Sequence, residues 1–488
     1  MREFILLMPE VFLVLTLMAV IASETTYHGE RTRLVFVTVL IGLGAAFLQT
    51  VLNYEYGATQ LFGKSLTIDG LSLLAKLIFI TFTSLTVVIA DQTSEIPFRQ
   101  KAEYYCLVLA GCLAMCFAAS AADMLLAFLS LLCLNIICFF LAGFHKRSGV
   151  SIEAAIKYMI FTAVAGSLIL YGLAILFSAT HSLNVYEIHR ELMAHPPGRT
   201  PLLISFMLIF LALAFQMGAF PMYLWAPDVL EGAPTPASGF LSLAPRAAGF
   251  IVATRFLIVV FAQPGEVHGQ WQTLQGFEWT QIVAFVSGIS MVVGSFLAYR
   301  QTSAKRLIAC LLIAESGYLL MGLLVLDEVG IAALLFNLVI ELFALSGTFF
   351  ILSYFIGITG SDQLKDFRGM LNRAVPEAIC LILFLLCLVG LPPTPGFLGK
   401  FTLIGSAIRH RWLALGFISI VSMAVSAVAV SRLVYHLIGE PKALEKTELP
   451  NLNRKIFLTV LVMPILLVGV LGESVLNWAG KSLGFIFW

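Results

Sequence analysis

A few ionisable side chains sit where the surrounding sequence is almost wholly apolar. Lys76, Lys157, Arg246, Arg255 and Lys400 are basic residues within long hydrophobic runs, and Glu315 and Glu341 are the acids set deepest in such runs. A lone cation at the centre of a bilayer costs at least about 2.5–3.5 kcal/mol on insertion scales. These residues are therefore expected to face a bundle interior, pair with acids or line a wet path. Lys76 and Arg255 can equally be read as snorkelling from helix ends. Asp69, Asp123 and Glu153 are the other acids available as partners. The chemistry open to such a set is proton exchange: lysine and glutamate gain and lose protons, whereas arginine stays charged.

The elements that must hold them are membrane-crossing helices. The chain has 488 residues, 60% hydrophobic and 12% charged, and apolar runs of about 18 residues or more recur along it, each able to span a ~30 Å hydrocarbon core. Fourteen segments are expected, at 5–22, 34–52, 69–91, 104–121, 122–144, 154–179, 202–224, 235–262, 279–299, 307–326, 329–356, 377–408, 412–431 and 456–476. The fold class is an all-α polytopic membrane protein with no soluble domain. A net charge of +1 gives no reason to expect nucleic acid as a partner. The eight cysteines form no metal-type CxxC pair and read as packing residues. The histidines lack metal spacing, and no glycine-rich phosphate loop follows a strand. Met1–Arg2 ahead of an apolar run imitates a signal peptide, but Glu10 interrupts the run and no A-x-A site follows, so a retained first helix is expected. Basic residues favour the loops after odd-numbered segments, among them Arg33, Arg99, Lys101, Lys146, Arg147 and Arg368. By the positive-inside rule those loops are cytoplasmic and both termini lie on the other side.

Two segments are interrupted. The seventh has Pro221 in "FQMGAFPMYLW"; the twelfth has Pro392, Pro393 and Pro395 in "GLPPTPGFLGK". Proline removes a backbone donor and clashes with the preceding turn. Such breaks survive at membrane depth only where they are buried in protein or line a cavity. They are five segments apart, so the two would run in opposite directions, which is the arithmetic of an inverted repeat, segments 4–8 against 9–13. The implied organisation is peripheral spans over 1–103, repeat one over 104–262, repeat two over 279–431 and a last span at 456–476.

At "WAPDVLEGAPTP" (225–236) the sequence resembles the N-subunit (subunit 2) family of respiratory complex I, the NADH–quinone oxidoreductase. "MPE", "IDGLSLLAKL", "SIEAAIKY", "SAKRLIACLLIAESGY", "DFRGM" and "GLPPTPGFLGKF" match in order along nearly the whole chain. The resemblance implies a fourteen-helix antiporter-like core in the inner (plasma) membrane, beside M-, K- and J-like subunits and the lipid bilayer. It implies that the chain works as part of a translocating enzyme and itself holds no flavin, iron–sulfur centre or quinone, the FMN, clusters and quinone belonging to the parent complex. It also implies proton movement along a central row of buried ionisable residues. The L subunit's lateral helix is not expected.

Carried over residue by residue, the pattern is altered. Lys157 and Lys400 match the family's lysines in helices 6 and 12. The helix 5 glutamate is Leu132, the helix 7 lysine is Gln216, the helix 8 lysine is Arg246, and the helix 10 position is Glu315; Glu341 is an acid where the family has an apolar or aromatic residue. Glutamine does not titrate and leucine neither titrates nor hydrogen-bonds. Arg246 is thus expected to mark the central axis as a fixed cation, balanced by a carboxylate such as Glu315 or by oriented water, and to bias its neighbours or block proton passage. Asp228 and Glu231 are expected to order the connection between helices 7 and 8. Proton translocation altered or impaired at these positions is the favoured reading. The alternatives are a cation/proton antiporter or hydrogenase-linked subunit of the same superfamily, or a spacer that conducts nothing.

Overall fold

The computed structural model describes residues 2–27, 32–265, 269–274, 277–440 and 452–482. It is built almost entirely of helices. In chain order they are α1 (Met8–Tyr27), α2 (Thr32–Leu52), α3 (Gly70–Gln92), α4 (Lys101–Ser120), α5 (Met124–Ala142), α6 (Gly149–Thr180), α7 (Arg199–Met217), α8 (Trp225–Gly232) and α9 (Thr235–Arg255). They continue with α10 (Trp279–Arg300), α11 (Ala304–Leu324), α12 (Glu328–Thr359), α13 (Val375–Val389), α14 (Pro395–Arg409), α15 (Leu413–Ile438), α16 (Leu452–Val470) and α17 (Gly472–Lys481). Two short antiparallel hairpins (59–68 and 262–273) and a surface helix, Val185–Ala194, decorate the connections. The linker 180–201 is therefore more structured than its composition suggests.

Among the described residues, twelve helices are long and apolar enough to cross a membrane, or thirteen if the bent pair Arg454–Val470 and Gly472–Lys481 counts as one span. The sequence expectation is fourteen. The difference is the twelfth segment, which the proline cluster splits into two 15-residue helices, α13 and α14, each shorter than the ~20 residues a crossing needs.

Loops sort into two ends. At one end Leu66 bridges to Ala121, Asp123 to Asn184 and Gln270 to Asp327. At the other, Ser303 bridges to Gln363, Glu95 accepts from Thr235 N at 2.7 Å, and Lys305 donates to the Ala233 carbonyl at 2.8 Å. Loops that follow even-numbered segments meet only one another in these contacts, as do those that follow odd-numbered ones.

Burial grades from rim to centre. The windows of α9 and α11 are wholly enclosed, whereas α1, α2 and α6 are mostly open on one side. The open faces carry large apolar side chains such as Ile41, Ile160 and Tyr171, the surface a lipid environment accepts. At the centre α10 and α11 pack backbone to backbone: a methyl added to Gly317 would meet the Ser287 carbonyl at 2.7 Å. Small residues at such crossings let membrane helices approach closely.

Two buried ion pairs clasp the fold outside the centre. Arg255, at the end of α9, makes two parallel hydrogen bonds to Asp69, at 2.8 and 2.9 Å, and a third to the Ala119 carbonyl at 3.1 Å. Asp69 also N-caps α3, accepting from Ser72 N at 2.8 Å. The snorkelling reading of Arg255 therefore gives way to a buried fork-on-carboxylate pair. Lys76, also read as a snorkelling candidate, is likewise fully buried, with its Nζ 2.6 Å from Glu10 Oε1. Removing one partner of a buried pair strands the other, at about 3–5 kcal/mol. Asp69→Ala is therefore expected to lower the thermal unfolding midpoint of the detergent-solubilised protein markedly. Asp69→Ala/Arg255→Met is expected to recover all but the ~1 kcal/mol of the lost cap.

Candidate functional site

The site forms where α9, α11, α12 and α14 meet around the two helix breaks. Arg246 on α9 and Glu315 on α11 each lie about 16 Å from the first residue of their helix, at 1.5 Å per residue. Both are thus near the middle of a ~30 Å core. Pro245, immediately before Arg246, sits inside α9 and withholds the N–H that would have bonded one turn back.

Two ion pairs occupy this level. Arg246 donates to the Glu341 carboxylate of α12, and also to the Leu312 carbonyl of α11 at 3.3 Å. Lys400 of α14 donates to the Glu315 carboxylate. Each of the four side chains is almost fully buried. The expectation named Glu315 as an example of the carboxylate that balances Arg246; the structure gives that role to Glu341, and Glu315 belongs to Lys400. Leu312 and Glu315 are three residues apart on α11, on one face, so the two pairs adjoin along that helix.

The Lys400 ammonium has a second task. It donates to the carbonyls of Leu388 and Val389 at 2.7 and 2.8 Å, groups at the C-terminal end of α13 that the break has freed. It also lies 4.5 Å from the centre of the Tyr318 ring, within cation–π range. Gly390 ends α13 at φ +82°, and a methyl there would stand 2.6 Å from Lys400 Cδ, so glycine is required for both backbone and space. Gly399 brings α14 onto the Asn337 side chain of α12 in the same way.

The first break is closed differently. Ser316 donates to the Met217 carbonyl at 2.5 Å, the Trp225 indole to Phe215 O at 3.2 Å, and Phe220 N to Ser290 Oγ at 2.9 Å. Both breaks carry a cis X–Pro peptide, Phe220–Pro221 and Pro392–Pro393, and Pro395 opens α14. Gln216 is buried beside this break, its stem against Gly249. Gln216 Nε2, Arg246 Nε and Glu341 Oε1 have no hydrogen-bond partner within the described chain. A void of about 20 Å³ between the break and Arg246, lined in part by Met217, Trp225 and Ser242, has room for a single water.

Lys157 is not brought into this row. It is about 40% exposed and binds Asp228 and Glu153, at 2.6 and 2.8 Å. Arg306 joins from α11, reaching both Asp228 and Glu231. The acids of "PDVLEG" thus tie α8 to α6 and α11, an ordering role. Leu132 is partly buried against the apolar core, and α5 and α6 share a polar contact three residues on, where Tyr158 donates to Asn135 Oδ1 at 2.8 Å. Sequence reasoning left the buried Glu10–Lys76 pair unmade, although Glu10 carried the same signal, an acid inside an apolar run. Tyr318, Ser316 and Asn337 gave no signal, because uncharged polar residues are common in such helices.

A polytopic helical bundle with two broken helices facing a central row of buried charges defines a membrane ion-translocating class. The description "NADH:quinone oxidoreductase/Mrp antiporter, TM" matches residues 121–426, and the chain belongs to that family. NADH-quinone oxidoreductase subunit N of Chlorobium chlorochromatii is 36% identical, covering 83% of this chain and 80% of that one. A chain of respiratory complex I from Thermus thermophilus superposes with a TM-score of 0.80 at 26% identity, covering 97% of this chain and 99% of that one. A chain of the Mrp complex from Dietzia sp. gives 0.84 at 17% identity, covering 98% and 97%, a likeness of fold alone.

Chemically, an ammonium in contact with a carboxylate can trade its proton for a neutral pair, whereas a guanidinium on a carboxylate stays ionic. Gly390→Ala is expected to push Lys400 off the Leu388 and Val389 carbonyls while leaving Arg246–Glu341 in place. A density map of the variant in its parent assembly would reveal a reoriented Lys400 side chain and an unchanged Arg246.

Proposed function

We propose that this chain is a membrane-arm subunit of a proton-translocating NADH–quinone oxidoreductase, and that its proton-carrying couple is Glu315–Lys400. The observation that carries this reading is the contact between a buried ammonium and a buried carboxylate at a mid-membrane helix break. Coupling quinone reduction to such a couple requires a change in the electric field around it, which the fixed Arg246–Glu341 pair does not supply and an adjoining subunit must. Transfer of one proton from Lys400 to Glu315 removes both charges; return restores both.

The remaining candidates take different roles. Arg246 with Glu341 is a fixed pair that sets the field at the couple and carries no proton. The first half, 104–262, with Leu132 and Gln216 at the family's titrating positions, does not conduct, and the second half, 279–431, does. The two halves form an inverted repeat, supported by breaks at Pro221 and Pro392 with a buried cation beside each. Lys157 orders the rim with Asp228. FMN, the iron–sulfur clusters and quinone stay in other subunits, M-, K- and J-like chains flank this one, and the basic loops face the cytoplasm of an inner membrane.

The test is proton-to-electron stoichiometry of the intact complex in proteoliposomes. Lys400→Ala and Glu315→Gln are each expected to slow proton delivery through this chain by about 10²-fold or more, the usual loss when a positioned proton-transfer group is removed, and to lower the stoichiometry. Arg246→Lys, which keeps the charge, is expected to leave it near the parent value. Unchanged stoichiometry in Lys400→Ala would make the chain a spacer.

A further inference from the structure

At the end of the molecule that holds the basic loops, a trough of about 900 Å³ runs between α1, α4, α5 and α6, lined by apolar side chains such as Leu17, Leu107, Phe140 and Ile156. It extends about 12 Å along α4, from Ala102 to Ala110, at 1.5 Å per residue, which is most of the ~15 Å of one leaflet's hydrocarbon. The apolar walls give way to charge only at the mouth, where Glu24, Glu103 and Lys146 stand. A second pocket, of about 760 Å³, shares Phe144 and Lys146 with the trough and adds Arg147 and Gln100. His145 fastens this loop to the Glu95 carbonyl at 3.0 Å, so the two basic residues are presented from an anchored turn. None of Glu24, Glu103, Lys146 and Arg147 has an ion-pair partner among the described residues.

We propose that this trough and pocket form a binding site for an aminophospholipid. The acyl chains lie in the trough, the phosphate meets Lys146 and Arg147, and the head-group ammonium meets Glu103 and Glu24. An anionic lipid would satisfy the two basic residues but set its charge against the two acids. A neighbouring protein helix would fill the trough but supply no paired phosphate and ammonium at its mouth.

The test uses the intact complex, purified in detergent, with bound lipid measured by mass spectrometry and rebinding measured with added phosphatidylethanolamine. Lys146→Ala/Arg147→Ala is expected to lose about one phosphatidylethanolamine per complex and to rebind it about thirtyfold more weakly, as removal of two basic residues from a phospholipid surface predicts. Glu24→Gln/Glu103→Gln is expected to keep a lipid but shift preference toward phosphatidylglycerol. The same phosphatidylethanolamine content in Lys146→Ala/Arg147→Ala as in the parent overturns the proposal. So does a parent complex that holds phosphatidylglycerol over phosphatidylethanolamine. A Lys146→Ala/Arg147→Ala complex that sheds a neighbouring subunit while its lipid content stays constant also overturns it, and assigns the face to protein contact.

Discussion

Hydrocarbon offers no hydrogen bonds, so every carbonyl freed by a helix break must find a donor inside the chain. The two breaks meet this demand by opposite means. At the second, one ammonium caps Leu388 and Val389, and its charge then demands a carboxylate, Glu315. At the first, neutral donors suffice: Ser316 and the Trp225 indole serve the carbonyls. A lysine at position 216 is therefore dispensable for backbone satisfaction, and Gln216 can stand there without leaving the break open. The asymmetry of charge between the halves follows from which group closes each break.

A lysine in a dry interior can neutralise itself by losing a proton; an arginine effectively cannot. Arg246 consequently requires a standing counter-charge, and Glu341 supplies it. The two pairs together are formally neutral, with opposite charges in contact within each pair. Breaking either pair strands a charge where screening is weak.

Much of this was legible in the sequence because rare residues speak loudly in an apolar chain. Arg246, Glu315, Glu341 and Lys400 were identifiable from their surroundings, and the breaks from Pro221 and the cluster at Pro392. Pairing was not legible, because which acid meets which base depends on the rotation of each helix about its axis. That rotation is set by contacts such as Gly399 on Asn337 and Gly390 on the Lys400 stem. Lys157 illustrates the same gap. Its depth along the chain suggested an interior position, but α6 turns that face toward Asp228 and the rim. Arg255 failed as a snorkelling candidate because Asp69, distant in sequence, reaches it through the start of α3. The span count differed because the broken segment is long enough to cross when taken whole, whereas neither 15-residue fragment is.

The direct backbone contact of α10 with α11 at Gly317 bears on how Glu315 is placed. Gly317 meets the Ser287 carbonyl and the Met291 side chain of α10, which leaves little room at that crossing, and Glu315 lies two residues away on the same helix. A methyl at 317 would have to part the two helices before it could fit, so where the Glu315 carboxylate stands rests on a missing carbon two positions away.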